Sequence, residues 1–262
     1  LLDVQAHRLV SVLGPGGHGK TRLAAEVAQA LAAAPAGPSP TGPPRAFDLV
    51  AFVPLVACAG GAGATDAVLA ALLLALHQDA QQQASPLAQL QRLLSGRRVL
   101  LVLDNVEQLV EDIGPLLADL LSGCVGLHLL VTSRRALGLD GEQQRALPPL
   151  PLPAAGPLPG DAGETPLSNP AVALFIDRAR AVRPDFEPDL AQADAVAALV
   201  QHLQGMPLAI ELAASHVANL SPTALLGLLQ GPAGSSPGLR LLARSGPRAG
   251  GDPRDRAHLR HR

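Results

Sequence analysis

Apolar residues along the chain fall into two textures, short unbroken runs and longer stretches with helical spacing. Leu9 to Leu13 (Leu-Val-Ser-Val-Leu), residues 48 to 56, Val99 to Leu103 and Leu127 to Thr132 are runs of the first kind. Such runs, bounded by charged or turn residues, predict strands buried on both faces of a parallel sheet. Between them, residues 21 to 34, 65 to 77, 86 to 94 and 105 to 121 place Leu, Ala and Val at three- and four-residue intervals and predict helices. A short fifth strand is expected at 145 to 150. Strands alternating with helices in this order predict an α/β fold, with a parallel sheet of about five strands.

Past residue 148 the texture changes. Eight prolines between Pro148 and Pro170 mark an extended connection. Helical spacing then returns at 171 to 182, 189 to 204, 208 to 220 and 222 to 230, amphipathic and Ala-rich, as in a small bundle. Gly205-Met206-Pro207 interrupts it, and Pro207 suits the first turn of the helix that follows. From 231 to 262 there are seven Arg, repeated Pro and Gly, and little apolar periodicity, so an ill-ordered basic tail is expected; a nucleic-acid arm is the alternative reading. The expected organisation is an α/β domain at 1–150, a linker at 151–169, a partial helical domain at 170–230 and the tail.

The first strand leads into Gly14-Pro15-Gly16-Gly17-His18-Gly19-Lys20-Thr21, which satisfies G-x-x-x-x-G-K-[ST] and opens the first helix. Strand before and helix after are the context this motif requires. Glycines let successive N–H groups point inward, and with the positive end of the helix they form a cradle for phosphate oxygens. Lys20 is then expected to reach the β and γ phosphates, and the Thr21 hydroxyl to hold Mg2+. Arg22 follows and joins the expected nucleotide-binding set. Composition supports the reading of Lys20: of 20 basic residues it is the sole Lys, kept where a compact ammonium suits phosphate better than a planar fork.

Other features narrow the field. A net charge of −2 exerts no global pull toward nucleic acid, and with four Phe and neither Trp nor Tyr there is no platform for stacking bases. Cys58 and Cys124 lie in no metal-ligand spacing and read as small buried hydrophobes of a reducing compartment. No apolar run approaches the length of a membrane span, and no signal peptide is visible, so a cytoplasmic protein is expected. The chain begins with Leu rather than Met, as a fragment would.

Two further residues extend the phosphate site. The run from Val99 ends in Asp104, and in nucleotide-binding parallel sheets ligands sit at the carboxyl ends of strands. Asp104 is therefore expected to face the phosphate loop and bind Mg2+ directly or through water. The run from Leu127 to Thr132 ends in Ser133-Arg134-Arg135, and an Arg just past such a strand is placed to sense a γ-phosphate. A solvated turn cation is the competing reading of Arg134.

Four motifs in order then agree on a family. Gly-Pro-Gly-Gly-His-Gly-Lys-Thr-Arg-Leu-Ala from Gly14, Leu-Val-Leu-Asp-Asn-Val-Glu-Gln-Leu from Leu101, Leu-Leu-Val-Thr-Ser-Arg from Leu129 and Gly-Met-Pro-Leu-Ala-Ile-Glu-Leu-Ala-Ala from Gly205 resemble the NB-ARC-like STAND ATPases of bacteria. In particular they resemble the ATPase modules attached to LuxR-type and SARP-type transcriptional regulators, over roughly residues 7 to 230. The resemblance implies a signalling switch that holds ATP or ADP between a P-loop core and a helical domain. It implies Lys20 and Thr21 as phosphate and Mg2+ ligands, Asp104 as the Walker B acid, Arg134 as the sensor and Pro207 as the residue packing by adenine. Self-association or attached regulatory domains are the implied partners, with no direct DNA binding by these residues and no membrane.

The chain also departs from that family. Asn105 stands after the Walker B Asp, where efficient ATPases place a carboxylate; Asn cannot accept a proton, so hydrolysis is expected to be slow or to fall to Glu107. His18 replaces the usual aliphatic residue of the loop. The Gly-Arg-Glu-like upstream signature, the winged helix and the repeats are not among these residues.

Overall fold

The computed structural model describes residues 4, 6–33, 47–77, 85–153 and 168–230. The chain divides into two compact units, Leu1–Pro148 and Pro149–Arg262. The expected connector at 35–44, most of the linker at 151–169 and the tail at 231–262 lie outside the described residues.

In the first unit five strands, β1 (Leu9–Leu13), β2 (Leu49–Pro54), β3 (Val99–Asp104), β4 (Leu127–Ser133) and β5 (Glu142–Ala146), form one sheet in the order β2-β3-β4-β1-β5. Every pairing is parallel. Strands β3 and β4 are buried along their whole length, which explains why they read as unbroken apolar runs. The period of two sorts their side chains between two cores. Val99, Leu101, Leu103, Leu127, Leu129 and Val131 pack with α2 (Ala64–Ala75), α3 (Pro86–Leu94) and α4 (Val110–Gly123). Leu100, Val102 and Leu130, with Val10 and Val12 of β1, pack on the other face with Ala24 and Ala28 of α1 (Lys20–Ala32). Each fully buried Leu or Val contributes about 1.5–3 kcal/mol relative to exposure, so the centre of this three-layer sandwich is held by β3 and β4. The carboxyl ends of β1, β3 and β4 are thereby fixed side by side.

Two sequence expectations differ from the structure. The fifth strand is Glu142–Ala146, not 145–150. Its sequence, Glu-Gln-Gln-Arg-Ala, carries no apolar run because it is a short, mostly exposed edge strand, the kind of edge that resists further pairing. Hydrogen bonds to β1, not its own pattern, make it a strand. The fourth helix starts at Val110, not 105. Asn105 adopts φ +67, and its N–H donates to the Thr132 hydroxyl at 2.9 Å, so the chain turns sharply after β3 before it can coil.

The described residues of the second unit form helices, α5 (Pro170–Val182), α6 (Leu190–His202), α7 (Pro207–Ser215) with a 3-10 turn at His216–Ala218, and α8 (Pro222–Leu229). Caps define the starts. Asn169 accepts from the amides of Ala171 and Val172, Asp189 from Gln192 and Ser221 from Ala224, and α5, α7 and α8 each open with Pro. Phe175, Phe186, Val196, Leu199, Val200 and Ile210 fill the core. Among the described residues no helix is long and apolar enough to cross a membrane.

Gly205 of the Gly-Met-Pro motif has φ +66 and a Cβ there would sit 2.2 Å from the Leu150 carbonyl oxygen. The Leu150 N–H in turn donates to the Gly205 carbonyl at 2.9 Å. Gly205→Ala is therefore expected to destabilise the second unit by about 2 kcal/mol or more, because strain and a backbone clash coincide. Gly227, inside α8 with nothing within 4 Å of an added Cβ, is the control: Gly227→Ala is expected to stabilise by about 0.5–1 kcal/mol. Denaturant midpoints of the two variants on the same side of wild type would contradict this.

Candidate functional site

The loop from Gly14 to Gly19 joins β1 to α1 across the carboxyl end of the sheet. Two of its glycines are demanded by conformation: Gly17 has φ +82, and Gly19, the residue preceding α1, has φ +85. No side chain caps the start of α1, and its first turn holds no acidic residue. Its leading N–H groups and the positive end of the helix dipole are therefore free to receive an anion. The Gly14 N–H donates to the Ser133 carbonyl at 3.3 Å, anchoring the loop to the end of β4.

Lys20, the first residue of α1, folds back over the loop, its Nζ donating to the carbonyls of Gly14 at 2.8 Å and Pro15 at 2.9 Å. Burial pulls the Lys20 ammonium below the usual lysine range; Glu107 and Asp104 raise it again, and Arg134 adds to the fall. These four charged groups thus share one neighbourhood. Asp104 is 8% exposed, and its Oδ1 accepts two hydroxyls, Thr21 Oγ1 at 2.8 Å and Thr132 Oγ1 at 2.5 Å. Arg134 bonds through Nε to Glu107 Oε1 at 3.0 Å. Its guanidinium lies against the loop, with Nη2 3.4 Å from where a Cβ on Gly16 would sit. The second carboxylate oxygen of Glu107 is buried with no hydrogen-bond partner among the described residues.

Most of the residues expected from sequence meet here. The loop residues, Lys20, Thr21, Asp104, Glu107 and Arg134 converge at the ends of β1, β3 and β4. His18 is half-buried in the loop, with Nδ1 unpartnered among the described residues. Arg22 is exposed on α1 without a described partner. Pro207 is the first residue of α7, in the second unit. Thr132 also belongs to this site, although the Thr-Ser-Arg motif points by itself only to Arg134. Its signal was present: a hydroxyl at the end of an apolar strand, on a strand expected to lie within the same sheet as Asp104.

The donor set fits Mg2+. Thr21 and Asp104 present hard oxygens beside the Gly14–Gly19 loop, and among the described residues no group of three or more His, Cys, Asp or Glu could hold a metal ion. An ion completed by phosphate oxygens and water matches the way Mg2+ is usually bound.

Residues 8–148, more than half the chain, match the NACHT domain. The chain belongs to the NACHT family. As a NACHT domain it is a STAND-class P-loop NTPase, a nucleotide-binding ATPase module, which is the coarser class of the resemblance drawn from its motifs. An uncharacterized protein of Mycobacterium tuberculosis is 34% identical over 84% of this chain and 48% of its own length. A second Mycobacterium tuberculosis protein, provisionally named an HTH-type transcriptional regulator, is 33% identical over 82% of this chain and 21% of its own. The NACHT chain thus spans about half the length of one relative and a fifth of the other. A chain from a structure of Drosophila ORC bound to poly(dA/dT) DNA and Cdc6 aligns over 87% of this chain and 41% of its own, at 12% identity and a TM-score of 0.35, a likeness too loose to bear on fold or site.

Asn105 of the NACHT site is explained by its backbone. The left-handed conformation after Asp104 favours Gly and Asn, and costs other residues about 1–2 kcal/mol. Asn105→Gly is expected to keep stability within about 0.5 kcal/mol and leave ATP turnover unchanged, while Asn105→Ala loses about 1 kcal/mol. Chemical denaturation beside a phosphate-release assay checks both. Loss of turnover in a stable Gly variant would assign the Asn105 side chain a chemical part instead.

Proposed function

We propose that this NACHT chain is an ATP- and ADP-binding signalling module with slow, Mg2+-dependent ATP hydrolysis, acting as a nucleotide-controlled switch within a transcriptional regulator. The observation that carries the reading is the Arg134–Glu107 ion pair laid against the phosphate loop. The contact supports a reading in which Arg134 would sense phosphate and Glu107 would serve as general base, so that binding and chemistry compete for the same groups.

The loop amides and Lys20 are arranged to stabilise negative charge on the transferred phosphoryl group, which is most of what such a site contributes to this reaction. Thr21 and Asp104 would hold Mg2+, which would supply positive charge against the nucleotide phosphates. In this reading a γ-phosphate draws Lys20 from the Gly14 and Pro15 carbonyls and Arg134 from Glu107. The second exchange is uneven: Arg134 is 65% exposed and leaves easily, while Glu107, 15% exposed, is left mostly buried without its cation. Glu107, released, can accept a proton from water through Oε1, the carboxylate oxygen that Arg134 had held. While Arg134 stays in place the carboxylate is neutralised, and with Asn105 unable to act as a base, slow turnover follows.

The finer affiliation, with NB-ARC-like modules of LuxR-type and SARP-type regulators, is supported by the four ordered motifs and by the relative named as an HTH-type regulator. Pro207 would then couple the helical domain, residues 170–230, to the nucleotide state near adenine. The partners would be regulatory domains or further copies of the chain, in the cytoplasm, and DNA would be met through other parts of the protein.

The test is single-turnover against steady-state ATP hydrolysis, for wild type and Lys20→Ala. The switch predicts one slow turnover followed by retained ADP, and a nucleotide affinity lowered about 10- to 100-fold by Lys20→Ala, the loss of one charge-assisted contact. Rapid multiple turnovers abolished by Lys20→Ala would make the chain an ATPase enzyme in the ordinary sense. Unchanged nucleotide affinity in Lys20→Ala would refute the site.

A further inference from the structure

Thr132 is 1% exposed and uses both faces of its hydroxyl. Oγ1 donates to Asp104 Oδ1 at 2.5 Å and accepts the Asn105 N–H at 2.9 Å, while the Thr132 carbonyl accepts the Val106 N–H at 3.1 Å. One residue of β4 thus pins three consecutive residues of the turn leaving β3. The register requires this neighbourhood: Leu103 pairs with Val131, which sets Thr132 level with Asp104. The next carbonyl along β4, that of Ser133, receives the Gly14 N–H, and Arg134 follows to reach Glu107.

We propose that Thr132 is a positioning residue for the magnesium acid: its hydroxyl fixes the rotamer of Asp104, and so decides how well Asp104 and Thr21 present their oxygens to Mg2+. Resting on the Mg2+-nucleotide reading of the site, it adds the means of its preorganisation. Asp104 Oδ1 is shared by the Thr21 and Thr132 hydroxyls. When Thr21 turns its oxygen toward the metal, the Thr132 bond is the one of the two that keeps the carboxylate in place. Partners in this outer position typically govern metal affinity by 10- to 100-fold, because a free carboxylate must be ordered anew at each binding event.

A merely structural Thr132, satisfying the Asn105 N–H, would also cost stability when removed, so stability alone does not decide the matter. The experiment measures two affinities for the full chain carrying Thr132→Val, Thr132→Ser or neither. One is that of ADP in EDTA, by calorimetry; the other is that of Mn2+ for the protein–ADP complex, by electron paramagnetic resonance. The expected result is that Thr132→Val leaves ADP affinity in EDTA within about twofold, weakens Mn2+ about 10- to 100-fold, and that Thr132→Ser restores Mn2+ to within about threefold of wild type. If Thr132→Val fails to unfold cooperatively, Thr132→Ala makes the same deletion without the misplaced methyl and is read identically. Unchanged Mn2+ affinity in a folded Val or Ala variant overturns the proposal while leaving the nucleotide site standing. Wild type that binds ADP neither with nor without metal overturns both.

Discussion

A single carboxylate oxygen ties this site together. Asp104 Oδ1 accepts one hydroxyl from α1 and one from β4, while its own backbone ends β3. Three elements that are separate in sequence are thereby held to one point at the carboxyl edge of the sheet. The arrangement is possible because β3 and β4 are buried on both faces and leave their ends no freedom to drift, and because the phosphate loop is bonded to the end of β4 through Gly14. The apolar cores are what make the polar site exact in its geometry; removing a leucine from β3 would loosen Asp104 without touching it.

The electrostatics around this point are balanced rather than strongly biased. Lys20 feels burial, two acids and one Arg, and Arg134 has its own acid in Glu107. A site whose cations already have partners gives up those contacts when a polyphosphate arrives, so the binding free energy is a difference between exchanges rather than a sum of new contacts. That suits a device meant to rest in one state and move to another. It suits less well an enzyme built for speed, whose base would stand unpaired before each turnover.

Much of this was legible in the sequence, for identifiable reasons. Doubly buried strands cannot hide, so β1, β3 and β4 stand out as apolar runs, and the phosphate loop stands out because glycine adopts most readily the left-handed backbone found at positions 17 and 19. What pattern could not convey was whatever depends on register. β5 is a strand because β1 offers it hydrogen bonds, not because Glu-Gln-Gln-Arg-Ala favours one. Asn105 interrupts an otherwise helical spacing because its amide finds the Thr132 hydroxyl across the sheet, and Thr132 itself is silent until β3 and β4 are aligned. Local propensity was overridden at the ends of central strands, where the site is built.

The central claim, that these residues form a nucleotide latch, is tested most directly by what the purified protein carries. The chain is denatured in acid and the released nucleotide separated and quantified against protein. The account predicts ADP at close to one per chain, retained through purification. Protein that carries no nucleotide, and that takes up neither ADP nor ATP when supplied with Mg2+ at millimolar concentration, would contradict it.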